Sequence, residues 1–68
     1  MLNTKKIKGR MVELGLLQKD IAAALNIAQT TVSQKINGVR PMTLQEAERM
    51  AKVLNIQNNQ FGEYFFAQ

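Results

Sequence analysis

The sequence predicts an all-α fold, a single domain of five short helices. Three observations predict it. Apolar residues recur at steps of three and four, the period of a helix with one buried face. Residues that start and stop helices stand at the ends of these runs. No stretch reads as a strand, a repeat, a low-complexity segment or a linker. At 68 residues the chain has room for one domain. A domain of this size buries roughly 60% of its unfolded surface. It has no cysteine, hence no disulfide framework and no thiolate zinc site. Helix packing must therefore carry the stability, with dimerisation as a further source.

The first helix is expected over about residues 4–14. Asn3 or Thr4 can cap its start, and Ile7, Met11 and Leu14 form one apolar stripe. Gly15 follows as the left-handed residue that closes it. Gly9 inside this helix costs about 1 kcal/mol relative to alanine, unless it lets a neighbour approach closely. The second helix is expected over residues 18–25 and the third over 29–37, with Gly38 capping the third. Pro41 biases Arg40 away from helix. Thr43-Leu44-Gln45-Glu46 is a capping box. It opens a fourth helix over 44–54 with a stripe of Leu44, Ala47, Ala51 and Leu54, and Met50 beside it. Ile56 is expected to plug the core. Asn58 or Asn59 can cap a fifth helix over 59–66. Phe61, Tyr64, Phe65 and Phe66 cluster there, and four aromatics cannot all face inward on one short helix. One is left for a dimer interface.

The middle of the chain carries the functional signal. Ile21 and Leu25 share one face of the second helix, with the small Ala22 beside Ile21. Asn26 tolerates the left-handed conformation needed to leave that helix. Val32 and Ile36 repeat the four-residue spacing in the third helix. Two helices joined by a turn of three or four residues, packed through a small side chain, form a helix-turn-helix. If Val32 and Ile36 point inward, Thr30, Ser33, Gln34 and Asn37 point outward, and Gln29 projects from the first turn. A merely solvated helix face favours Glu, Lys and Arg, which are better helix formers than Thr, Ser or Asn. This face instead holds amides and hydroxyls. Amides can pair bidentately with adenine, and threonine methyl groups can touch thymine.

Charge is distributed to match. The net charge is +4. Residues 1–40 hold seven basic and two acidic side chains, whereas residues 41–68 hold two basic and three acidic. Ile21 to Gln45 contains no Asp or Glu. A positive end of this kind suits a polyanionic partner.

These residues resemble the phage-repressor type of helix-turn-helix, the family of lambda-like Cro and repressor DNA-binding domains. The resemblance rests on Gln18, Ala22, the turn Asn26–Ala28, Gln29-Thr30-Thr31-Val32-Ser33, and Asn37-Gly38. It extends from about Thr4 to Phe66. Three positions depart from the pattern. Asn26 stands where the family usually has glycine, and Ala28 where it often has the capping Ser or Thr. Lys35 stands where many members are apolar, the apolar residue here being Ile36.

The resemblance implies a lambda-repressor-like fold and a transcriptional repressor of Cro type, from a phage or prophage, acting as a dimer on double-stranded DNA. It places Gln29, Thr30, Ser33 and Gln34 toward base edges in the major groove. It assigns Arg10, Gln18, Thr31, Lys35, Asn37 and Arg40 to the DNA backbone. An antitoxin or a restriction-modification controller on the same fold is one alternative, and a protein-binding helical adaptor without DNA binding is another. No cofactor, metal or small-molecule ligand is expected. Without histidine or cysteine, and with five scattered carboxylates, no catalytic constellation can be drawn. No apolar run approaches the roughly 18 residues of a membrane span, and the N-terminus lacks the apolar segment of a signal peptide. A cytoplasmic protein is expected.

Overall fold

The first and fourth helices start on side-chain caps. The computed structural model describes residues 2–66. Among them are α1 (Thr4–Leu14), α2 (Gln18–Leu25), α3 (Gln29–Ile36), α4 (Leu44–Val53) and α5 (Phe61–Phe65), with a 3-10 turn at Asn58–Gln60 leading into α5. No strand occurs among the described residues. Asn3 caps α1 by accepting the Lys6 N–H at 3.1 Å. Gly15 closes it at φ 68°, returning the chain so that the Leu16 N–H donates to the Met11 carbonyl at 2.8 Å. At α4 the Thr43 hydroxyl accepts the Glu46 N–H (3.1 Å) and the Glu46 carboxylate accepts the Thr43 N–H (3.0 Å). The expected capping box is complete.

The core gathers one face of every helix. Ile7, Ile21, Val32, Ile36, Met50 and Leu54 are essentially inaccessible to water. Burial of each such side chain contributes about 1.5–3 kcal/mol. Ile56 is half-buried against this core, as expected of a plug. Two residues of the expected stripes are not in it. Leu44 is 59% exposed and Leu14 is also exposed. Both lie on the right face of their helices but one turn beyond the core, at the first position of α4 and the last of α1. Leu16, turned back by Gly15, packs against the core instead.

Four long-range ties close the fold around α1. The Thr4 hydroxyl donates to the Ile36 carbonyl at 2.7 Å, and the Asn3 N–H donates to the Tyr64 carbonyl at 2.8 Å. The Arg10 guanidinium donates to the carbonyls of Leu54 (2.9 Å) and Asn55 (3.3 Å), a cation at the C-terminal end of α4 where the helix dipole favours one. Lys6 pairs with Glu63 at 2.7 Å and lies 5.0 Å from the centre of the Tyr64 ring. Donation of that hydrogen bond to the Glu63 carboxylate holds the Lys6 ammonium above its ordinary pKa. The pair is well exposed, and such pairs add little stability. Tyr64 and Phe65 are buried, Phe61 stacks on Phe65 with ring centres 4.7 Å apart, and Phe66 is 60% exposed. Phe66 is thus the leftover aromatic.

Gly9 is exposed within α1, and a Cβ placed there meets nothing within 4 Å. No close approach requires it. Gly9→Ala should therefore raise the unfolding free energy by about 0.8–1 kcal/mol, read as a higher urea midpoint at unchanged slope. An unchanged or lower midpoint would show a constraint on Gly9 that the packing does not reveal.

Candidate nucleic-acid interface

The helix-turn-helix is built from α2 and α3. Asn26 leaves α2 at φ 57° and ψ 46°, the left-handed conformation. Its N–H and that of Ile27 donate back to the carbonyls of Ala23 (3.3 Å) and Ala22 (3.1 Å). Ala22 is buried in the core, where a larger side chain would overpack the contacts of α2. Ala28 precedes α3 in extended conformation and makes no side-chain cap. The first N–H groups of α3 lack a side-chain acceptor, as the alanine implied. Asn37 ends the helix and Gly38 follows at φ 78°.

Val32 and Ile36 are fully buried, so the opposite face of α3 is outward. Gln29, Thr30 and Gln34 are exposed and Ser33 is half-buried. Asn37 is exposed, with its amide 3.4 Å from the Ser33 hydroxyl. Arg40 is exposed at the end of the turn after α3. Its N–H and that of Val39 donate to the Gln34 carbonyl at 3.2 and 2.8 Å, fixing the end of the helix. Thr31 is half-buried at the edge of this face. Gln18 is half-buried on the first turn of α2. The Asp20 carboxylate accepts the Leu17 N–H at that turn (2.8 Å), so the end of α2 is partly capped from within.

Two of the residues assigned to the DNA backbone have their donors engaged inside the protein. Arg10 holds the end of α4, as described. The Lys35 ammonium lies 2.6 Å from the Glu46 carboxylate and 3.3 Å from the Pro41 carbonyl. The Lys35 and Glu46 side chains are only 12% and 19% exposed. The physical reason lies in the sequence: with Ile36 rather than residue 35 as the core anchor, Lys35 turns toward the start of α4, where Glu46 waits. Thr4 and Glu46 both hold α3, and no local pattern points to either role. Thr4 is 32 residues from its partner and Glu46 is 11 from its own.

The hydrogen bond from Lys35 is the main cause that pushes the Glu46 carboxyl below its ordinary pKa; the Thr43 N–H adds to it and burial opposes both. A carboxylate depressed on folding stabilises the protein fully above its unfolded pKa, about 4.3. That contribution is lost as pH falls through the lower folded value. The melting-temperature difference between wild type and Glu46→Gln should thus shrink below about pH 4. A difference constant from pH 7 to pH 3 would contradict the pairing.

A family model described as helix-turn-helix matches residues 7–57, from within α1 through α4 to the following loop. Comparison with curated proteins and with solved structures finds no match. The matched segment holds the turn at Asn26, the buried Ala22 and the outward amide face of α3. Domains of this kind are DNA-binding regulators of transcription, and the chain belongs to the Cro/C1-type helix-turn-helix family.

Proposed function

We propose that this protein is a sequence-specific repressor of Cro type that binds double-stranded DNA as a homodimer on paired half-sites. The observation that carries the reading is the outward face of α3. Burial of Val32 and Ile36 leaves Gln29, Thr30 and Gln34 exposed, with Ser33 beside them, on a segment free of carboxylates from Ile21 to Gln45. In this reading those four side chains meet base edges in the major groove. Gln18, Thr31, Asn37 and Arg40 contact phosphates and fix the orientation. Lys35, neutralised by Glu46, and Arg10, bound to the end of α4, serve the fold.

One eight-residue helix reads only a few base pairs, so tight binding calls for two copies on half-sites about 34 Å apart. The domain is 28 Å along its longest axis, so copies on adjacent half-sites would be neighbours. Phe66 is the exposed aromatic suited to their contact. Occlusion of the polymerase would then follow from occupancy.

Selection of duplexes from a random pool tests this directly. The expected product is a recurrent site with two-fold symmetry and a half-site repeat of about 10 base pairs. Affinity for it should fall steeply with salt, with a log–log slope of about −0.9 per phosphate neutralised. A pool that never converges would reject sequence-specific reading. Affinity flat in salt would reject the electrostatic footprint.

A further inference from the structure

The recognition helix is held by contacts of two kinds. Burial of Val32 and Ile36 is non-directional, and two residues on one stripe leave an eight-residue helix free to roll about that stripe. Hydrogen bonds are directional and stop the roll. Thr4 supplies one, to the Ile36 carbonyl. The other is the tie to α4. Glu46 Oε1 accepts from Lys35 Nζ at 2.6 Å and from the Thr43 N–H at 3.0 Å, and Lys35 Nζ also reaches the Pro41 carbonyl. One oxygen thereby joins the last turn of α3, the loop after it and the first turn of α4. Low exposure of both side chains limits competition from water.

We propose that Glu46 is the positioning residue of the recognition helix, fixing through Lys35 the roll at which Gln29, Thr30, Ser33 and Gln34 meet the bases. A side-chain tip lies about 5–6 Å from the helix axis, so a roll of 10° moves it by about 1 Å, enough to spoil a bidentate contact. The functional half of this proposal rests on the DNA-reading role above. It inverts the role that sequence alone assigns to Lys35. A lysine serving as a phosphate ligand would be hindered by Glu46, and removing Glu46 would strengthen binding. A lysine serving as a clamp needs Glu46, and removing it weakens binding.

Glu46→Gln separates these cases, because glutamine still completes a capping box with Thr43 while the ion pair is lost. Lys35→Met is the second variant, with an apolar side chain of similar reach. Both should bind the duplex selected from the random pool about tenfold more weakly, bind a random duplex of equal length no more weakly, and keep the wild-type salt slope. The double variant should lose no more than either single one, and Lys35→Arg should retain most of the affinity. Unchanged or tighter binding by Glu46→Gln would overturn the proposal. So would a loss by Lys35→Met that is equal on both duplexes, with a slope shallower by about 1. Amide hydrogen exchange on the free protein gives a readout that needs no DNA. Protection of Ser33 to Asn37 should fall in Glu46→Gln relative to Met50 and Ala51, and an equal fall throughout would reject the clamp. If the wild type shows no sequence preference, the DNA-reading role fails and the exchange pattern alone decides whether Glu46 holds α3.

Discussion

Ile36→Ala is expected to remove a large share of the protein's stability at 25 °C. Ile36 is fully buried, and its removal deletes packing atoms and leaves a cavity. Such changes cost about 2–5 kcal/mol. A chain of 68 residues is stable by only about 3–10 kcal/mol at the usual value per residue. The same residue also anchors α3 and presents its carbonyl to Thr4, so the loss falls on the helix that would enter the groove. Leu44→Ala is the control. Both residues are apolar and lie on the apolar stripes of the sequence, but Leu44 is 59% exposed, and its truncation should stay within about 0.5 kcal/mol. Chemical denaturation of the two variants measures both values. Similar losses would mean that Leu44 is covered in solution, for instance by a second copy.

Gln34→Ala should leave stability nearly unchanged and cost about 1–3 kcal/mol on the selected duplex, roughly 5- to 150-fold in Kd. Gln34 is exposed, and its side chain makes no hydrogen bond among the described residues. Its carbonyl holds the turn through Val39 and Arg40, and alanine keeps that carbonyl in place. Binding to random DNA should change little. Arg40→Ala should behave in the opposite way, weakening both duplexes alike and reducing the salt slope by about 1. Equal losses on both duplexes for Gln34→Ala would remove it from the base-reading set.

Much of this architecture is legible in the sequence because it is local. A capping box spans four residues, a glycine or asparagine closes a helix within one turn, and a buried stripe repeats every three or four positions. Thr43 with Glu46, Gly15, Asn26, and the pair Val32 and Ile36 are all of this kind, and each is found where the pattern places it. What the pattern lacks is the edge of the core. Leu14 and Leu44 continue their stripes in sequence, but no other element covers them. It also lacks partners that are distant along the chain. Lys35 and Arg10 look like solvated cations until the fold brings Glu46 to one and the end of α4 to the other. The periodicity of the last helix shows that one aromatic must be left over, and only the packing of Phe61 on Phe65 decides that it is Phe66.

The ties that converge on α1 bear on how the chain reaches this state as it leaves the ribosome. Asn3, Lys6 and Arg10 bond to Tyr64, Glu63, Leu54 and Asn55, so this segment meets these partners only after about 50 further residues have been synthesised. The helix-turn-helix can form its local turns in the nascent polypeptide, but the scaffold behind it closes late. A message cut short before these positions would yield a product that proteases can clear rather than a partly working regulator.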